Sequence, residues 1–337
     1  MSTIATLILI QTCITRYALS TILALGNLGN LLTIIIYSQK KHRTNPCSIY
    51  LIAVSCFCLM GSNWAIAPTV YALDHFDMVS NSLILCRIRG YIIHTSSMCF
   101  RYTLVVICAD RYAVCSRRIS IRALSRPQIA YRSIAIITLF WSMMSVHLLI
   151  WESIENGHCG VYGIYGQIFS FYIAICTGFI PIVLMTSFSI LLVKNLNSVR
   201  LQIVPTNNNN VRLNRRDVSF IKLILVEVVV YIICTILYPP VTIYSQVTSY
   251  MVLNKTAERK QIESFITFIT MSLLLYLNYN TTFYVHFITS RAFRQEVKQL
   301  FLKYIRRSQK NVLKHQNGLK TINTVPERQQ LRKTTTI

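Results

Sequence analysis

Seven stretches of this chain, at about residues 17–38, 48–72, 83–114, 129–151, 165–193, 218–247 and 262–287, are each apolar over the length a membrane-crossing helix requires. A hydrocarbon layer about 30 Å thick takes roughly 20 residues of α-helix. Within the layer, backbone polar groups must be satisfied internally, so spans of this kind fold as helices and pack as a bundle. Composition agrees. Charged residues make up 13% of the 337 and mean hydropathy is +0.47, whereas a soluble domain carries about 25% charged residues. A disordered chain, a collagen-like chain and a small disulfide scaffold are excluded on the same ground. The second, fifth and sixth stretches contain Pro68, Pro181 and Pro239-Pro240. Membrane helices tolerate these because neighbouring groups re-satisfy the freed carbonyls.

Charge then sets orientation. The chain has 34 Lys and Arg against 11 Asp and Glu, a formal net charge of +23. In so apolar a chain this reads as basic cytoplasmic loops rather than as a nucleic-acid surface. Lys40, Lys41 and Arg43 fall in the first connection, and Arg117, Arg118, Arg122 and Arg126 in the third. Arg200, Arg212, Arg215 and Arg216 fall in the fifth, and the tail after residue 290 is basic. The alternate connections hold Asp74, Asp77, Glu152, Glu155 and Glu258 instead. The amino terminus is therefore expected outside and the carboxyl terminus in the cytoplasm, with the basic loops against anionic lipid, a cytosolic partner, or both. The expected organisation is a short extracellular segment (1–16), a bundle (17–289), an amphipathic eighth helix (290–305) and a basic, disordered tail (306–337).

Of the eleven cysteines, most sit in spans and read as small apolar side chains. Cys86 opens the third span and Cys159 lies in the loop before the fifth, both on the oxidising side, so a disulfide between them is expected. Asn254-Lys255-Thr256 is a glycosylation acceptor, Asn254 being the modified residue. Near the far end of the third span stands Asp110-Arg111-Tyr112, some 37 Å of helix from Cys86. An acid beside an Arg at a membrane border is physically a switch: the pair neutralises itself in one state and releases the Arg in another.

In these features together the chain resembles the rhodopsin-like (class A) G-protein-coupled receptors over residues 17 to about 305. Gly26-x-x-Gly29-Asn30 matches the first-helix motif, Asp110-Arg111-Tyr112 the third, Trp141 the fourth and Pro181 the fifth. Tyr238-Pro239-Pro240 looks like the sixth-helix hinge, Cys86 and Cys159 like the family disulfide, and Ser290–Arg294 like the start of the eighth helix. The resemblance implies an all-α seven-helix fold in the plasma membrane, an extracellular ligand, and a heterotrimeric G protein engaged around Arg111, with arrestin as a further partner. No enzyme activity, cofactor, metal or nucleic acid is implied.

The departures shape the expectations. Cys56 occupies the place of the sodium-binding Asp, so no allosteric sodium ion is expected. The seventh-helix motif is degraded: Asn280…Tyr284 or Thr282…His286 takes its place, and the spacing to Phe293 favours the latter. Phe220 falls near the sixth-helix acid that would lock Arg111. Arg101 lies near the midplane, where a charge is costly. It is expected to reach Glu227, or a polar pocket of Ser96, Ser97 and Asn278, or else to bond backbone carbonyls and water.

An aminergic ligand is excluded by Ile93 beside His94, where an Asp would stand, and retinal by the lack of Lys in 262–287. The candidate pocket is His94, Ser97, Tyr238, Tyr244 and Tyr276, under an acidic mouth that attracts cations. The degraded seventh-helix ending and the Phe-Arg after it look most like invertebrate FMRFamide-receptor-like neuropeptide receptors, which implies a short amidated, Arg-containing peptide. A chemosensory receptor for a small molecule is the rival, and a transporter a distant third, since it would show inverted repeats and broken midplane helices. The ending Thr-Thr-Ile337 fits a PDZ-type ligand.

Overall fold

A computed structural model describes residues 3–116, 118–155, 157–201, 215–249 and 255–303, with 305 and 309. Seven helices are long and apolar enough to cross a membrane: α1 (Thr3–Tyr37), α2 (Pro46–Tyr71), α3 (Leu83–Val114), α4 (Pro127–Trp151), α5 (Gly163–Leu196), α6 (Phe220–Thr248) and α7 (Ala257–Thr289). Between α4 and α5 an antiparallel hairpin pairs β1 (Ser153–Glu155) with β2 (His158–Gly160). Gly157, in the turn, has φ +73°, a conformation that side-chain-bearing residues avoid. Residues 291–303 form a separate helix, α8. It is started by Ser290, whose Oγ accepts from the Phe293 N–H at 3.2 Å. The bundle and α8 belong to separate units, divided between Thr289 and Ser290.

The first helix is longer than expected. Thr3–Cys13 continues it because Ile4, Leu7, Ile8, Leu9 and Ile10 carry the apolar sequence up to the amino terminus, and a helix does not stop where a bilayer would. Residues 3–16 are thus helical.

Helices α1 and α7 meet through glycine. A Cβ on Gly26 would fall 1.8 Å from Asn280 Oδ1, and one on Gly29 would fall 2.8 Å from Phe283 Cβ. Gly178 on α5 likewise leaves room for the Pro239 ring of α6. Each proline in the spans removes an N–H and frees the carbonyl four residues before it. Arg89 Nε donates to Trp64 O at 3.1 Å, the carbonyl freed by Pro68. Tyr231 donates to Thr177 O at 3.2 Å, the one freed by Pro181. The α6 helix breaks after Thr235 and resumes at Tyr238, at Pro239-Pro240. Widened π-helical turns interrupt α5 at Ala174–Phe179 and α7 at Ile269–Leu274, a feature that often marks functional regions.

One register needs correction. Ser55 is fully buried and Cys56 is exposed, so on α2 it is Ser55 that faces the bundle interior. A single-residue count along a helix turns a side chain by about 100°, enough to move Cys56 from the core to the outer face.

Candidate ligand cavity and Arg111 switch

Helix α3 carries functional candidates at both ends. At its first end Cys86 is bonded to Cys159 of β2, with Cα atoms 5.7 Å apart. This bond lays the hairpin over the bundle and brings Glu152 against α3, where Arg87 Nε donates to the Glu152 carbonyl at 2.9 Å.

Below the hairpin lies a cavity of about 280 Å³. Four residues of the expected pocket line it: His94, Ser97, Tyr238 and Tyr276. Tyr244 does not. It is 47% exposed and accepts from Arg259 and donates to Glu263, each at 3.0 Å, because α6 beyond its proline break turns this residue away from the bundle axis. His94 and Phe169 form an aromatic stretch of the wall and are backed by a further cluster: His94 bonds the Tyr172 hydroxyl at 3.1 Å and His147 that of Tyr165 at 2.6 Å, with Phe169 against both imidazoles. Thr177 and Met271 reach the cavity from the widened turns of α5 and α7.

Arg101 is at the cavity floor and 1% exposed. It does not meet Glu227. Its Nη1 donates to Ser97 O at 2.9 Å, to Ser97 Oγ and to Tyr279 Oη at 3.0 Å, with the guanidinium over the Tyr279 ring. Its Nε has no partner among the described residues. Glu227 instead accepts from Thr282 Oγ1 at 2.7 Å on α7. Both amide atoms of Asn278 are unpartnered among the described residues, so only Ser97 of the expected polar set holds Arg101.

The acids of the expected mouth separate into distinct roles. Asp74 pairs with Arg16 at 2.5 Å. Asp77 caps the short helix Met78–Asn81, accepting from the Val79 and Ser80 amides and the Ser80 hydroxyl. Burial works against that charge, but these hydrogen bonds prevail and hold its carboxyl below the usual range. Glu155 is exposed on β1. Glu152 alone turns inward, 8% exposed, into the cavity wall. Burial pushes its carboxyl up to about 7, against the opposing pull of Arg89 and Arg87.

At the other end of α3, Arg111 is 1% exposed. Its Nε donates to Asp110 Oδ2 at 3.0 Å and its Nη2 to the same oxygen, while Asp110 Oδ1 accepts from Ser125 Oγ at 2.7 Å. The guanidinium lies 5.9 Å from the centre of the Phe220 ring of α6. An aromatic face thus takes the position where an acid was missing, a contact worth about 0.5–2 kcal/mol. Tyr37 packs on Phe220 and on His286, and Tyr112 on Phe188. Of the two seventh-helix registers, Thr282 and His286 are both fully buried toward the bundle. Tyr284 instead donates to Leu25 O of α1 at 3.0 Å. Asn254 and the carboxyl-terminal tail lie outside the described residues.

Counting along α3 found His94, Ser97 and Arg101. Gly90, Glu152 and Tyr279 were missed as cavity residues, although the disulfide expected at Cys86 was a signal that residues near Cys159 would cover this end of α3.

The model of the family described as 7 transmembrane receptor (rhodopsin family) matches residues 29–284. No curated protein matches the chain.

Proposed function

The chain belongs to the rhodopsin family of seven-transmembrane receptors, a multi-pass membrane protein, and from this we propose that it is a plasma-membrane receptor that activates a heterotrimeric G protein. The amino terminus is outside, and the basic connections at the Arg111 end face the cytoplasm. The observation that carries the reading is the arrangement along α3: a lined cavity at the Cys86 end, and at the other end a buried arginine held by Asp110 and covered by Phe220. A ligand that binds better to a bundle in which α6 has moved off Arg111 shifts the population toward that state. The receptor performs no covalent chemistry, and needs no cofactor to act. Its ligand is a short amidated, Arg-containing peptide whose end enters the cavity. Arrestin and a PDZ-type protein are partners for the cytoplasmic face and the tail.

Nucleotide exchange in membranes carrying the wild type or Arg111→Ala, with and without a pool of amidated neuropeptides, tests this. Peptide-stimulated exchange in the wild type that Arg111→Ala loses is the expected result. Exchange that is equal in the two, or absent with surface expression confirmed, contradicts it.

A further inference from the structure

The carboxylate of Glu152 has no hydrogen-bond donor among the described residues. Its Oε2 is unpartnered. The one polar atom against Oε1 is Cys159 Sγ at 3.7 Å, and a sulfur in a disulfide has no proton to give. Neither nearby arginine donates a hydrogen bond to this carboxylate among the described residues. Arg87 Nε is on the Glu152 backbone carbonyl, and Arg89 donates to Trp64 O, Ala65 O and Thr69 Oγ1. Space for the carboxylate is made by a glycine: a Cβ on Gly90 would fall 1.9 Å from Oε2. A buried acid without donors is unfavourable, and for packing alone an amide or an apolar side chain at 152 would serve better.

We propose that Glu152 is the counter-ion for a cationic group, an ammonium or guanidinium, of the ligand that enters this cavity. The inference rests on the receptor reading above and names the chemistry its site selects. Arg101 at the floor fixes the ligand's direction. Its guanidinium, whose Nε has no hydrogen-bond partner among the described residues, suits an oxygen acceptor, a carbonyl or carboxylate, and its charge repels a second cation. Arg101 is anchored at the level of Ser97, seven residues along α3 from Gly90, so the ligand's cation and its acceptor are about 10 Å apart. His94, backed by Tyr172, and Phe169 line the cavity that holds both groups.

The groups facing Glu152 are Arg87 and Arg89 from α3, Tyr165 from α5, the Cys86–Cys159 disulfide, and Tyr276 across the cavity from α7. With its carboxyl raised to about 7, Glu152 loses its charge as pH falls through neutrality. A bound cation favours the ionised form, so affinity is greatest above pH 7 and falls below it, by about tenfold between pH 8 and pH 6.

The test uses the purified receptor in nanodiscs without a G protein. The probes are phenethylguanidine and its uncharged analogue phenethylurea, read by thermal melting and by direct binding at pH 6, 7 and 8. The guanidine raises the melting temperature of the wild type and the urea does not. Glu152→Gln weakens guanidine binding about tenfold to a hundredfold and removes its pH dependence. Its unliganded melting temperature is equal to the wild type's or higher, which shows that the variant folds. Gly90→Ala, which displaces the carboxylate, also weakens binding. Equal response to guanidine and urea, the same guanidine affinity in wild type and Glu152→Gln, or no wild-type response overturns the proposal. Intact Arg111-dependent exchange alongside any of these discards the role of Glu152 and leaves the receptor reading standing. Guanidine binding without exchange does the reverse.

Discussion

Two arginines on α3, ten residues apart and equally buried, are held in opposite ways. Arg111 has the Asp110 carboxylate beside it, Ser125 on the other carboxylate oxygen and an aromatic face above it. Arg101 has hydroxyls, one carbonyl and a tyrosine ring, and no carboxylate. The acids follow the same division: Asp110 is satisfied on both oxygens, and Glu152 on neither. The difference separates two ways of using buried charge. At the Arg111 end the charges neutralise each other through contacts within the bundle. At the cavity end an acid and a base line one space without meeting, and it is the proposed ligand that would join them.

The comparison is broken or sharpened most strongly by exchanging each arginine for methionine. Arg111→Met leaves Asp110 buried beside an apolar side chain, and stability falls by about 3–5 kcal/mol. Arg101→Met removes a buried charge that no acid among the described residues balances, and stability is unchanged or rises, while the response to ligand is lost. Thermal melting of the two purified variants decides this. Loss of stability at both positions erases the distinction. Ser125→Ala comes next: it takes one hydrogen bond from Asp110, costs about 1 kcal/mol, and raises basal nucleotide exchange by loosening the pair. Unchanged basal exchange in a folded Ser125→Ala receptor removes Ser125 from the lock. Smallest is Tyr244→Phe, at an exposed cluster outside the cavity. Melting shifts by no more than about 0.5 kcal/mol and ligand affinity is unchanged. A marked loss of affinity would return Tyr244 to the binding site.

Which parts of this arrangement were legible in the sequence follows from how many residues carry each signal. A span is a sum over some twenty side chains, so all seven were found, six of them to within a few residues at both ends. The first helix begins at Thr3 rather than near 17, because membrane thickness does not limit a helix. Asp110-Arg111-Tyr112 and the Cys86–Cys159 pair were visible because each links a residue type to a depth in the membrane. Single rotations were not visible. Whether Ser55 or Cys56 faces inward, and where Tyr244 points beyond the break at Pro239-Pro240, depends on one residue of helical phase. Glu152 was hidden for a different reason. In sequence it is one of several acids in loops, and only the hairpin, the disulfide and the space at Gly90 turn it into the cavity. Likewise nothing in the sequence says that Glu227 bonds Thr282 and leaves Arg101 to Ser97 and Tyr279.

The central claim is that the contact of Phe220 with Arg111 holds the receptor at rest and that Arg111 acts when it is uncovered. Basal G-protein nucleotide exchange in membranes containing equal surface amounts of wild type, Phe220→Ala and Phe220→Ala/Arg111→Ala tests it directly, and no ligand is needed. The account predicts exchange above wild type in Phe220→Ala and its loss in the double variant. Exchange in Phe220→Ala at or below the wild-type level, or exchange that survives in the double variant, would contradict it.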